Sequence, residues 1–342
     1  MYLEDYCQGV SHKVKVLYNL PMSIEASLHR DPSVIILEAY PRGLCAGVAR
    51  SLKGYDLMIQ TFPDRDIYSV GEPAHNTQIV DKYREKGVRF VSSVDEVPDG
   101  SVAVFGPHGS TEEDLRKARE KGLTFMDTEC PLVTKVKKEV ARNVSEGRTV
   151  IYHGQRGHAE ARAVISVAPE EIILVEGEED ALSDEVFSRI PDPKKVAFNS
   201  QTTHNSDESM KIAEALKKRL PGLEVPRVED ICYATRNRQK ALREMIRQGA
   251  EEVVVVGSKT SSNSKRLKEV AEEEGTSVQF VDGPEDLMHN FQGKVGLTAG
   301  ASVEEETIDR VRQAIMGAEV IVEQIIVADE SSIEFSLPEI QR

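Results

Sequence analysis

Three cysteines stand in segments of one kind. PRGLCAGVARS (Pro41–Ser51), DTECPLVTKV (Asp127–Val136) and EDICYATRNRQ (Glu229–Gln239) each place a thiol after a short apolar stretch and at the start of a helix-like one. The first amides of a helix carry partial positive charge and stabilise a thiolate, the form of cysteine that binds metals. Cys45, Cys130 and Cys232 converging from three segments would make a site with one open coordination position. Three small buried core thiols would give the same spacing. No CxxC pair occurs, so a local zinc knuckle is not indicated. Cys7 has no such setting and is read as incidental.

His75 in GEPAHNTQIVD, His108 in FGPHGST and His158 in GQRGHAEARA each follow an apolar run through Gly or Pro, and so belong to loops at strand ends. Imidazole suits anionic oxygens because it donates a hydrogen bond and can carry charge near neutral pH. A surface or structural histidine at any one of these positions would look the same. His12, His29 and His289 lack this setting; His153 and His204 adjoin the motifs but need not point inward. GSKTSSNSKRL (Gly257–Leu267) follows the run Val253–Val256 and precedes a helical pattern, offering backbone amides and the side chains of Ser261, Ser262 and Asn263 to an anion. TAGAS (Thr298–Ser302) and SQTT (Ser200–Thr203) stand in the same relation to the runs from Val295 and over Val196–Phe198. Helix capping uses the same residue types, and no GxxxxGK[ST] phosphate loop is present. Glu160, two residues after His158, is the carboxylate set apart from the many on helix surfaces. In a dry pocket its pKa would rise and suit it to relay a proton; a solvated loop glutamate is the ordinary alternative.

The elements that must hold these residues are legible in the apolar runs. Val34–Leu37, Ile67–Val70, Val88–Val91, Val102–Phe105, Val150–Tyr152, Ile172–Val175, Val253–Val256 and Val278–Val281 read as buried strands. Between them Thr111–Lys121, Pro131–Glu146, Ser206–Leu220, Thr235–Gln248 and Ser264–Glu273 read as helices. Such alternation predicts an α/β fold of parallel sheets flanked by helices, with ligands at the carboxyl ends of the strands. The intervals between the cysteines predict three similar α/β units, 34–129, 130–229 and 230–318. They are preceded by an N-terminal extension (1–33) and followed by a β-rich tail (319–342), in which Glu319–Pro338 reads as two strands around a polar turn.

A net charge of −15 repels phosphodiester backbones and argues against a nucleic-acid role, without excluding a small anion held by local donors. No apolar run has the length of a membrane span, and the first 33 residues lack the apolar core of a secretory signal. Four widely spaced cysteines do not make a disulfide scaffold, and a cytoplasmic setting is expected.

PRGLCAGV, AHN, PHG, DTECPLVTKV, GHAE, SQTT, DICYATRNRQ, GSKTSSNSKRL and TAGAS occur in the order found in the IspH/LytB family, the 4-hydroxy-3-methylbut-2-enyl diphosphate reductases. The resemblance runs from about Val34 to about Met316, and DICYATRNRQ and VVGSKTSSNSKRL are long, specific motifs. It implies three α/β units arranged as a trefoil around a central [4Fe–4S] cluster, with Cys45, Cys130 and Cys232 as ligands and one open iron. Substrate-binding residues carry over to His75, His108, His158, Thr202, Ser261, Ser262, Asn263 and Ser302, and the proton-delivering glutamate to Glu160. The implied reaction is reductive dehydroxylation of a small allylic diphosphate to isopentenyl and dimethylallyl diphosphates, the last step of the non-mevalonate isoprenoid pathway, with ferredoxin or flavodoxin as electron donor. The chain departs from the family pattern at Ala74, at Gly106 and Pro107, and at Ala159, where Val, Ser–Ala and Pro are usual. These departures leave room for a relative with the same cluster and another substrate. An iron–sulfur sensor would use the cysteines but not the histidines and hydroxyls, and a three-cysteine zinc hydrolase would be colourless rather than brown.

Overall fold

Apolar runs with no polar alternation suit strands buried on both faces, as in parallel sheets, and the computed structural model places strands on the runs named above. It describes residues 12–18, 34–226, 229–288, 291–316 and 320–342. The first elements are β1 (His12–Tyr18), β2 (Val34–Tyr40), α1 (Ala46–Thr61), β3 (Ile67–Val70), α2 (Thr77–Glu85), β4 (Val88–Val91), β5 (Val102–Phe105), α3 (Glu112–Glu120) and β6 (Thr124–Asp127). The middle of the chain forms α4 (Pro131–Ser145), β7 (Thr149–His153), α5 (Ala159–Ile165), β8 (Ile172–Val175), α6 (Glu178–Ala181), α7 (Asp184–Ser188), β9 (Val196–Ser200) and α8 (Ser206–Arg219). The remainder forms α9 (Tyr233–Arg247), β10 (Glu252–Val256), α10 (Ser262–Glu273), β11 (Ser277–Val281), β12 (Gly293–Ala299), α11 (Glu305–Ile315), β13 (Val320–Ile326) and β14 (Ile340–Gln341).

The fold is α/β with three mainly parallel sheets, distributed over two compact units. One unit joins the chain up to Cys45 to Tyr233–Ile333 and holds the sheet β1-β13-β2-β12-β10-β11. All its neighbours are parallel except β1 against β13. Both faces of this sheet are covered. Val254 and Val256 pack with Ile308, Val311 and Ile315 of α11. Val253 and Val255 pack with Leu242 and Met245 of α9 and Leu267 and Val270 of α10. Each such side chain contributes about 1.5–3 kcal/mol on burial.

The other unit, Ala46–Cys232 with Glu334–Arg342, holds the sheets β14-β6-β5-β3-β4 and β8-β7-β9. The first packs Phe105 and Phe125 with Leu115 of α3. The second buries Ile151, Ile173 and Phe198 with Ile212 and Leu216 of α8, and Val150, Tyr152 and Ala197 with Val136 and Val140 of α4 and Ala161 and Val164 of α5.

Three features differ from the sequence expectations. β2, expected to begin the first of three consecutive units, lies between β12 and β13 of the C-terminal third, because periodicity marks a strand as buried without naming its partner. Within the expected N-terminal extension, residues 12–18 are a strand of the same sheet; the rest of that segment, Cys7 included, lies outside the described residues. In the tail the first expected strand is β13, but the second is not formed over Ile333–Leu337. That stretch is held instead by Arg50 Nε on the Ser336 carbonyl (2.7 Å) and by Lys53 on Glu334 (2.7 Å), and the chain pairs with β6 only at Ile340–Gln341.

One glycine fixes the loop after β5. Gly109 has φ +104°, and a Cβ there would stand 2.7 Å from Ala163 Cβ and 3.3 Å from a Val133 methyl. Gly122 also has a positive φ, +62°, but open space around it. Gly109→Ala is therefore expected to lower the free energy of unfolding by about 1–3 kcal/mol for the backbone, with overpacking added. Gly122→Ala should cost distinctly less. Parallel denaturant titrations check this; equal losses would show that Ala163 and Val133 yield freely.

Candidate active site

In each sheet the chemistry sits where parallel strands end. In the second unit β6, β5 and β3 are neighbours, and from their carboxyl ends issue the loops bearing Cys130, His108 and His75. β7 and β9 are neighbours too, and lead to His158 with Glu160 and to Thr202. In the first unit β2, β12 and β10 lie side by side, and lead to Cys45, to Ser302 and to Ser261–Asn263.

The three histidines form one cluster, with a ligating atom from each lying within 4.8 Å of the others. The rings of His75 and His108 stack at 3.9 Å, and His158 meets them edge-on at 5.2 and 5.8 Å. Burial, reinforced by the flanking His75 and His158, holds His108 well below the usual imidazole range, so it is neutral near pH 7. Its Nε2 is buried with no hydrogen-bond partner. His75 Nδ1 lies 3.2 Å from Glu72. His158 is the N-cap of α5: its Nδ1 accepts the Glu160 N–H at 3.1 Å, which leaves the proton of a neutral ring on Nε2.

Glu160 is fully buried. Its two oxygens accept the backbone N–H and the hydroxyl of Thr202, both at 2.7 Å. Burial pushes its carboxyl from 4.5 up to about 7; the Thr202 hydrogen bonds oppose the rise, and Asp230 and Glu129 add to it. His158, Glu160 and Thr202 are thus one connected group.

The thiols are held through their backbones. The Cys130 amide donates to the Pro107 carbonyl at 2.9 Å, beside His108, and the Cys232 amide to the Thr202 carbonyl at 3.0 Å. In the first unit the Cys45 amide donates to the Ala301 carbonyl at 3.0 Å, beside Ser302. Cys45 and Cys232 immediately precede α1 and α9, and Cys130 caps α4 with Pro131 following. For Cys232 the element before it is not a strand but α8 and a loop, whose Glu224 bridges to β9. Arg50 donates to the Thr128 and Glu129 carbonyls at 2.9 Å, bringing a positive charge beside the Cys130 thiol.

Ser261 caps α10, accepting the Ser264 N–H at 3.3 Å, so its hydroxyl has a structural task as well. Asn263 is buried; its Oδ1 accepts the Ala301 N–H at 2.9 Å and its Nδ2 donates to Thr235 at 3.1 Å. Ser262 and Ser302 are buried on the same two loops. Asn263 therefore ties the α10 loop to the loop that carries Ser302 and receives the Cys45 amide.

Sequence reasoning passed over Glu129. It is buried, accepts from Thr134 at 2.7 Å and Lys137 at 2.9 Å, and is charge-coupled to Glu160. Its position next to Cys130 was the available signal. Asp230 was passed over as well: its carboxyl is pushed up to about 6 by burial, with hydrogen bonds from the Ser200 amide and Asn199 opposing the rise.

Loops that carry thiols at helix starts and, within one unit, an imidazole cluster beside a buried acid define an α/β protein with the donor types of a metal centre. The family model described as LytB protein matches residues 36–316, and the chain belongs to that family. It is 39% identical to the 4-hydroxy-3-methylbut-2-enyl diphosphate reductase of Rhodopirellula baltica over 90% of this chain and 95% of that protein. It is 41% identical to the enzyme of the same name from Azotobacter vinelandii, over 88% and 96%. The solved structure of the Plasmodium falciparum E-1-hydroxy-2-methyl-but-2-enyl-4-diphosphate reductase superposes with a TM-score of 0.83 at 27% identity, covering 90% of this chain and 96% of that one. Family membership implies an iron–sulfur cluster. The donor set fits one: three half-buried cysteines, none in a disulfide, each at a helix start.

The Glu160 shift has a measurable sign. The unfolded chain gives up this proton near 4.5 and the folded chain near 7, so Glu160's contribution to stability is full below 4.5 and is lost as pH rises through about 7. Between pH 5.5 and 8 the unfolding free energy of Glu160→Gln should consequently fall less than that of the wild type. Identical pH slopes would mean that the carboxylate is already ionised in the folded state.

Proposed function

We propose that this chain reductively removes the hydroxyl of 4-hydroxy-3-methylbut-2-enyl diphosphate, giving isopentenyl and dimethylallyl diphosphates and water. The observation that carries this reading is the buried Glu160–Thr202 pair, with a carboxyl near 7, joined through His158 to a cluster of imidazoles. The substrate's C–O bond breaks, a C–H bond forms, and two electrons and two protons are consumed. Cys45, Cys130 and Cys232 would hold a [4Fe–4S] cluster, which would supply electrons one at a time and Lewis acidity toward the hydroxyl.

The chain's own groups do the rest. Hydroxide is a poor leaving group, and Glu160 holds a proton near neutral pH that Thr202 can pass on, since its hydroxyl both donates and accepts. The residues assigned to diphosphate binding are His75, His108, His158, Ser261, Ser262, Asn263 and Ser302. A neutral, half-buried His108 is suited to donate to the diphosphate and to gain a proton as the anion's charge arrives. Ferredoxin or flavodoxin delivers the electrons, and the cytoplasm is the compartment. Among the described residues no helix is long and apolar enough to cross a membrane.

Anaerobic turnover of this substrate with a reduced mediator, products resolved by mass spectrometry, tests the reading; failure of a protein with full iron content to form either product refutes it. Glu160→Gln should retain cluster and substrate binding while kcat falls at least about a hundredfold, the scale of general acid catalysis. A rate within a few-fold of wild type would give the proton another route. Serine at Cys45, Cys130 or Cys232 should abolish or cripple the cluster, and Cys7→Ser should leave it intact. Full iron and activity in Cys130→Ser would overturn the ligand set.

A further inference from the structure

The second unit contains another group of ligating side chains, which the reaction above does not use. His153 ends β7, His204 lies in the loop after β9, and Glu208 is in the first turn of α8. One ligating atom from each lies within 4.8 Å of the other two. Both imidazoles are buried, at 0% and 1% exposure, with ring centroids 4.3 Å apart and the planes tilted by 42°. Two imidazolium ions this close in a dry interior repel, so neutral rings, the form that binds metals, are favoured. His153 Nδ1 lies 3.0 Å from Ser209 Oγ, a buried hydroxyl on α8. A ring whose Nδ1 proton is taken by a second partner presents Nε2 as ligand, the usual outer-sphere arrangement at metal sites.

From this juxtaposition we infer that His153, His204 and Glu208 form a second metal site, separate from the cysteines, for a borderline divalent cation such as zinc. Two imidazoles and one carboxylate match zinc's preferences, and half-buried Glu208 leaves the fourth position to water. Bonds of about 2.0–2.1 Å put the ligand atoms of a tetrahedral site roughly 3.4 Å apart, so side-chain rotations of about an ångström close it. The ion lies beside the catalytic loop without entering it. The Gln201 amide donates to the His153 carbonyl at 2.8 Å and the His204 amide to the Gln201 carbonyl at 3.2 Å. A cation here cross-links the end of β7, the Thr202 loop and the start of α8, and so steadies Thr202 against Glu160.

The test uses anaerobic, cluster-loaded protein. It is freed of adventitious cations with a chelator, dialysed against micromolar zinc, and its metals are counted by mass spectrometry. About one zinc per chain is expected at undiminished iron content, with nitrogen and oxygen ligands near 2.0–2.1 Å and no sulfur shell in zinc-edge absorption. His204→Leu and the isosteric Glu208→Gln should lose the zinc, and Ser209→Ala should weaken its affinity about tenfold or more. His75→Ala should retain it. No uptake by wild type, uptake unchanged in both ligand variants, a sulfur shell, or loss in His75→Ala would each overturn the proposal.

Discussion

The burial of one carboxylate on one threonine organises the second unit. An ionised carboxylate taken out of water without partners is unaffordable for a marginally stable fold. Glu160 is tolerated because Thr202 meets both its oxygens, and because at a pKa near 7 the group is often neutral. That geometry needs the ends of β7 and β9 in register. The register is fixed by five parallel pairs, from Thr149 opposite Val196 to His153 opposite Ser200. Thr202 is in turn the anchor of Cys232, whose amide it accepts. Glu160 and the Cys232 backbone are therefore held by the same residue.

The same device recurs at the other two cysteines. The Cys130 amide rests on Pro107 and the Cys45 amide on Ala301, so each thiol is fastened to a loop that carries a candidate substrate donor. A displacement of one such loop moves a ligand and a substrate contact together. Buried amides demand partners, and here the partners lie next to His108 and Ser302. Glu129 adds a further tie, because its carboxylate accepts the Ser110 amide at 3.3 Å, on the loop of His108, while its own carbonyl takes Arg50.

Most strands and the helices α3, α4, α8, α9 and α10 were legible because fully buried parallel strands leave unbroken apolar runs, as over Val253–Val256, and because turn residues follow them directly. β6 was not read: Thr124–Asp127 has only two apolar residues, and its neighbours supply the burial. The division of the chain was also out of reach. β2 is joined to β12 and β13 by contacts far apart in sequence, and a single sequence carries no signal of pairing. At the site, residue type and strand-end position pointed to the histidines, Glu160 and the SQTT segment, and the family resemblance to Thr202 within it, but the Glu160–Thr202 bond could not be inferred, since it depends on which two strands are adjacent. His153 and His204 were set aside because sequence does not say where a ring points; the structure buries them side by side, tilted by 42°.

The departures from the family pattern adjoin His75, His108 and Glu160, which the chain keeps. At Ala159 a proline would pre-set the first turn of α5, yet that turn is already fixed by the His158 cap on the Glu160 amide. At Gly106 a side chain would meet the Glu72 carbonyl, since a Cβ there would lie 2.5 Å from it. The loop of His75 thus approaches the loop of His108 more closely than a serine at 106 permits. Ala74, fully buried in the same loop, leaves less to pack than the usual valine. A smaller residue on one loop and a missing Cβ on the other together allow the approach that stacks His75 on His108 at 3.9 Å. Pro107, for its part, supplies the carbonyl that holds Cys130, and a backbone carbonyl is indifferent to the side chain beside it. Taken singly these substitutions suggest a changed substrate. Taken with the contacts they are a local repacking around the stacked imidazoles of His75 and His108.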